Sequence, residues 1–163
     1  TILKEKTAKN IVGFNVAINS DGIGMFYQRT FTDSFAGVME FYYITDDYEE
    51  LVLRSRQINV ASKWYWNNNA PSGLYAFGGI GYANSLIADR LAENNNKLSA
   101  WGCSSGIGIT SISQNDFVDF VFDIQLGVNA VLLNSNESLF NEYENKIIEK
   151  ISPTFAFYFG IPF

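Results

Sequence analysis

The run Gly102-Cys103-Ser104-Ser105-Gly106 has the Gly-x-Ser-x-Gly spacing that presents a nucleophilic serine. That chemistry needs a sharp strand-to-helix turn and an imidazole base. The chain contains no histidine, and the motif lies inside a stretch that alternates like a strand. Gly102, Ser104 and Gly106 are therefore read as small wall-lining residues. Asp119 and Asp123 share one strand face, but a rise of about 3.3 Å per residue separates them by about 13 Å, too far for a glycosidase pair. Asp46, Asp47, Glu49 and Glu50 could offer oxygen ligands to a divalent cation; a solvated acidic loop is the simpler reading. The single cysteine, Cys103, can form no intrachain disulfide and falls on an apolar parity, where a thiol acts as a small hydrophobe. No enzyme, no metal site and no cofactor are expected.

The elements that would position these residues follow from composition and periodicity. The 163 residues include 17 acidic and 11 basic ones, for a formal charge of -6. That balance speaks against a nucleic-acid partner, since phosphate binding draws on Lys and Arg. Aromatic residues make up 16% of the chain. No apolar run reaches the roughly 18 residues of a membrane-crossing helix. Thr1 suggests a processed chain, and the absence of an initial Cys speaks against a lipoprotein anchor. A closed β-barrel is the membrane-spanning form that these facts leave open, because its short alternating strands make no hydropathy peak.

Alternation dominates. Val12, Phe14, Val16 and Ile18 share a parity, as do Ile23, Met25 and Tyr27 after the turn Asn19–Gly22. Phe35, Met39, Phe41 and Tyr43 face away from Val38, Glu40 and Tyr42 in a third strand. A fourth is expected at about Leu51–Ala61, followed by a long connection, Ser62–Ser72. The fifth and sixth are expected at about Gly73–Asn84 and Ser99–Ile112, with helix-forming composition in Ser85–Leu98. Phe120, Phe122, Ile124 and Leu126 alternate with Asp119, Asp123 and Gln125 in a seventh. Leu132–Lys150 has the pattern of an amphipathic helix, and an eighth strand ends the chain. The whole, 1–163, reads as one domain with a tail at 1–9. Centring hairpins on their turns pairs Ile18 with Ile23, Val16 with Met25, Phe14 with Tyr27, Ile109 with Phe120, Thr110 with Asp119, and Glu40 with Arg56.

A soluble barrel would alternate too, with its apolar face inward. The second face decides against it. The lysines, Lys63 among them, are read as lying in the tail, in loops or at a strand's first residue. The second face is small and polar: Gly13, Asn15, Ala17, Gly24, Ala76, Gly78, Gly102, Ser104, Gly106, Gly127, Asn129, Ala156 and Gly160. Small residues suit a narrow interior and bulky ones suit acyl chains. The strand charges Glu40, Arg54, Arg56, Asp119 and Asp123 then need an inward, paired home, with Glu40–Arg56 as the best-supported pair. Phe31, Phe35, Trp64, Trp66, Phe117 and Phe163 are expected to form an aromatic girdle at one membrane interface.

The last strand carries a resemblance. Phe155, Phe157, Phe159, Ile161 and the terminal Phe163 resemble the signal read by the outer-membrane barrel assembly machinery. The Gly-rich run LYAFGGIGYAN is similar to the pattern of small outer-membrane barrels. Together they resemble the eight-stranded OmpA/OmpX-like barrel class. The resemblance implies an all-β, eight-stranded antiparallel up-and-down transmembrane barrel in a Gram-negative outer membrane. Short helices are possible in its two long loops. It also implies periplasmic termini and insertion by the assembly machinery. Ser62–Ser72 is long for a periplasmic turn. The expected role is that of a non-catalytic structural or accessory subunit of a larger outer-membrane complex. The alternative is a small, porin-like channel or carrier for a hydrophobic molecule or lipid.

Overall fold

The computed structural model describes residues 9–17, 22–47, 51–89, 94–113, 118–136 and 151–163. Its strands are β1 (Asn10–Ala17), β2 (Gly22–Thr32), β3 (Phe35–Asp47), β4 (Leu51–Tyr65), β5 (Gly73–Asp89), β6 (Asn94–Ser113), β7 (Phe120–Asn134) and β8 (Ile151–Pro162). They form a closed barrel in chain order, all neighbours antiparallel, with β8 returning to β1 through pairs such as Gly13↔Gly160 and Ala17↔Ala156. Closure leaves no free sheet edge, which is what a sheet surrounded by lipid requires.

The outer wall is hydrocarbon. Phe14, Ile23, Met25, Phe41, Val60, Ile80, Ile107, Phe120 and Phe159 all stand exposed, Ile23 at 67%, while its neighbours Gly22 and Gly24 are buried. In water so large an apolar surface would drive aggregation; against acyl chains it is the matched surface. Phe120 and Phe122 are exposed, and Phe157 shares their outward face in the register. This excludes the inverted, soluble barrel.

Two expectations about the elements are corrected. In Ser85–Asp89 and Asn94–Leu98 the helical pattern yields to strand, residues 90–93 lying outside the described ones: Ser85↔Leu98 and Leu86↔Lys97 are cross-strand partners, and Ile87 and Leu98 bury together against Leu53. Long-range burial outweighs local propensity here. Of the other loop, 132–134 belong to β7 and 137–150 lie outside the described residues. β4 also runs on to Tyr65, which shortens the long connection to 66–72. That connection folds back beneath the barrel: Ala70 N–H donates to the Asp33 carbonyl at 2.7 Å, and Ala70 is buried with Ala36, Tyr65, Tyr75 and Phe77.

The register differs from the turn-centred estimate at each hairpin tested. Val16 faces Ile23 and Phe14 faces Met25, a slip of two. Ile109 faces Ile124 and Thr110 faces Asp123, a slip of four. Even slips keep every side chain on its expected face. In the β3–β4 hairpin, however, Glu40 faces Asn59 and Arg56 faces Tyr43. That slip is three, and an odd slip exchanges the faces of a strand. The Glu40–Arg56 pair therefore does not exist: Glu40 points in, and Arg54 and Arg56 point out and are exposed. Ala76 and Gly78 also lie on the outer face, opposite Trp64 and Ser62.

Candidate functional site: the barrel lumen

The inward parity of β4 is Leu53, Ser55, Gln57, Asn59, Ala61, Lys63 and Tyr65. Continued past Ala61, the alternation carries a lysine into the lumen. Lys63 is 1% exposed, and its Nζ lies 2.6 Å from Oδ2 of Asp123, itself 2% exposed. Two hydroxyls complete the carboxylate. Tyr75 donates to Oδ1 at 2.5 Å and Thr110 donates to Oδ2 at 2.7 Å. The Lys63 ammonium also sits 4.6 Å from the ring centre of Tyr75 and 5.4 Å from that of Tyr158, so two π-faces share its charge. Gln28 donates to Tyr65 at 3.3 Å, and the Tyr65 hydroxyl lies 3.4 Å from that of Thr110. A buried pair this fully hydrogen-bonded offsets its desolvation, and deleting one partner costs about 3–5 kcal/mol.

The rings in this level fit because glycines face them. A Cβ on Gly108 would collide with the Tyr75 hydroxyl, and one on Gly106 or Gly127 would approach the Phe77 ring to 2.8 Å. The small inward residues of β6 and β7 thus make room for large inward residues of β5.

A second level lies nearer mid-barrel. Glu40, 6% exposed, accepts from the Tyr158 hydroxyl at 2.6 Å and from Asn59 Nδ2 at 3.4 Å. The Tyr42 hydroxyl lies 3.0 Å from that of Tyr158, which in turn is 3.1 Å from the Gln125 amide. Above this floor, toward the end away from the termini, opens a cavity of about 660 Å³. Tyr42, Gln57, Ser104, Asn129 and Thr154 are among its lining. Glu40 and Asp46 also line it, and among the described residues no Lys or Arg does.

Of the expected interior network, Glu40 and Asp123 are inside, on separate levels. Arg54 and Arg56 are outside, and Asp119 precedes β7, half-buried. Lys63, Tyr75, Thr110 and Tyr158 were not foreseen; the unbroken parity of β4 and β5 was the signal for the first two. Ser104 points into the cavity opposite Gly79 and Asn129, and Cys103 points to the outer wall opposite Ile80. Phe31, Phe35 and Trp64 meet at the end that holds the termini, with ring centres 5.8 and 6.0 Å apart. Trp66 and Phe163 are exposed at that end; Phe117 lies outside the described residues. Phe155, Phe157, Phe159, Ile161 and Phe163 share the outer face of β8 and its end. Phe122 packs on Phe159 with ring centres 5.2 Å apart.

No protein-family model and no curated protein matches the sequence. Solved structures do match the fold. The N-terminal β-barrel domain of Pseudomonas aeruginosa OprF superposes with a TM-score of 0.56 at 11% identity, over 96% of this chain and 98% of that one. Neisserial surface protein A gives 0.54 at 7% identity, over 94% and 93%. Ail, the attachment invasion locus protein of Yersinia pestis, gives 0.51 at 11% identity, over 94% and 93%. With eight antiparallel strands closed in chain order, a hydrocarbon outer wall and a hydrogen-bonded interior, this chain has the fold of the small eight-stranded outer-membrane β-barrels.

Proposed function

We propose that this protein is a non-catalytic structural barrel of a Gram-negative-type outer membrane, acting as an accessory subunit of a larger membrane complex. The observation that carries the reading is on the wall. Gly37, Ser62, Gly78 and Ser105 are successive cross-strand partners on the outer face of β3, β4, β5 and β6. They form a track of small residues across four strands, between outer rows that carry Met39, Val60 and Ile80 on one side and Phe35, Trp64 and Ile107 on the other. In lipid, helices and strands associate by close packing rather than by a hydrophobic drive, and small residues permit close packing. The lumen supports a non-catalytic role, because Asp123 and Glu40 are engaged by Lys63, Tyr75, Thr110, Tyr158 and Asn59. The two-residue connection 33–34 at the end with the termini, against the sixteen positions between Asn134 of β7 and Ile151 of β8 at the other end, supports periplasmic termini. The outward aromatic series of β8 supports insertion by the assembly machinery.

The test is mild detergent extraction from native membranes followed by sizing. The protein is expected to migrate with a partner, and Gly78→Leu is expected to release it as a folded monomer. A Cβ at Gly78 meets nothing closer than Trp64 at 3.8 Å, so the barrel tolerates the change. Extraction of monomer alone from wild-type membranes would refute the accessory role. The cavity of about 660 Å³ favours a second reading, a carrier for a small hydrophobic molecule or lipid. Its closed floor speaks for carriage over conduction. A ligand retained in native mass spectra would support that reading, and steady planar-bilayer conductance would oppose it.

A further inference from the structure

The two arginines that the register turns outward do not stand alone. Thr45, Arg54, Leu86 and Lys97 are successive partners in one row across β3–β6, and Tyr43, Arg56, Asn84 and Ser99 form the row beneath. Below these come Phe41, Ile58, Tyr82 and Trp101, in which the Tyr82 and Trp101 rings pack with centres 5.1 Å apart. Arg54, Arg56 and Lys97 are all exposed. Among the described residues the other cations outside the lumen are Lys9 and Arg29, both near the termini. On the far side of the barrel the corresponding outer positions are apolar: Val16, Ile23, Leu132 and Ile151. Among the described residues the acidic neighbour on this face is Asp47, one row further from the membrane, opposite Val52.

The height of the cluster identifies its solvent. Arg54 lies ten residues along β4 from Trp64 in the aromatic girdle. Ten residues span about 33 Å of strand, and at a tilt of about 45° that is about 23 Å of height. An outer-membrane barrel's apolar band is about 25 Å tall. The cations therefore sit where acyl chains give way to headgroups, above a Tyr–Trp pair of the kind that marks this boundary. Arg54 and Lys97 are two strand spacings apart, about 10 Å, and Arg56 lies about 7 Å below Arg54. Three cations spread over that area exceed what one phosphate engages.

We propose that Arg54, Arg56 and Lys97 form a docking site for a membrane lipid whose headgroup carries more than one phosphate. Its acyl chains would lie down the Phe41–Ile58–Tyr82–Trp101 wall. The chain carries a net charge of -6, so the clustering is local and not a consequence of a basic protein. The site does not depend on the accessory role. The orientation of the barrel sets only which leaflet supplies the lipid, and periplasmic termini make it the outer one.

The test uses the full chain in phosphatidylcholine nanodiscs doped with bisphosphorylated lipid A or with the monophosphate lipid phosphatidylglycerol. Retained lipid is counted by native mass spectrometry. Wild type is expected to retain lipid A about fivefold over phosphatidylglycerol, because one further cation–phosphate contact is worth about 1 kcal/mol. The variant R54Q/R56Q/K97Q is expected to lose that preference, and K9Q/R29Q, at the opposite end, to keep it. All five positions are exposed, so folding is not at stake. Equal lipid A retention by wild type and R54Q/R56Q/K97Q would overturn the proposal. So would displacement of the lipid by millimolar inorganic phosphate, which would mark a simple anion site. A protein that extracts as a monomer yet shows the preference would fail as a subunit and stand as a lipid-binding barrel.

Discussion

The half of the lumen beside the termini and the half away from them use the same inward parity of the same strands, yet one is packed and the other is hollow. In the packed half Tyr75 and Phe77 of β5 lie over Gly108, Gly106 and Gly127 of β6 and β7. In the hollow half the same two strands oppose small residues to small ones: Gly79 to Ser104, Gly81 to Gly102 and Ala83 to Ala100. A strand face fills or empties according to how side-chain volume is distributed across neighbouring strands, not according to hydropathy. The charges follow the volume. The Lys63–Asp123 pair is enclosed by rings and hydroxyls, whereas Glu40 sits at the cavity floor.

The sharpest way to break that contrast is Asp123→Ala. It strands the Lys63 ammonium among buried rings and is expected to lower stability by about 3–5 kcal/mol, read by urea unfolding from lipid vesicles. Replacing both partners, as Lys63→Met with Asp123→Leu, is expected to recover most of that loss, because no unpaired charge remains. A double variant as unstable as the single one would show that the plug depends on the charges rather than on packing. Glu40→Gln keeps the shape and orphans no cation, so its cost by the same assay is expected near 1 kcal/mol. A loss as large as that of Asp123→Ala would make the two levels one network. Ser104→Ala in the cavity wall is expected to fall within about 0.5 kcal/mol of wild type. A larger loss would mean that the hollow half carries structural interactions of its own.

Which side of the wall a residue faces was legible wherever alternation ran unbroken. A strand's period of two is local, and each neighbour confirms it. That is why Phe14, Phe41, Phe120 and Phe159 are outside and Asn15, Glu40 and Asp123 are inside, as the sequence alone implied. The face assignment failed where a strand was cut short, centred wrongly or rich in small residues, as at Ala76 and Gly78 of β5, which face out. Stopping β4 at Ala61 hid Lys63, and an odd slip in the β3–β4 hairpin sent Arg54 and Arg56 inward on paper.

What opposes what is a different kind of information. Register, closure and the depth of the plug depend on turns and on a seam between β1 and β8 that join residues far apart in the chain. Asp123 gains Lys63 and Tyr75 from strands 60 and 48 positions away. No local pattern encodes those meetings, because a slip by two preserves every face while exchanging every partner. Composition and alternation were enough to specify a barrel with its bulky side toward lipid. Only the closed sheet decided that a lysine would fill its interior and that two arginines would crown its outer wall.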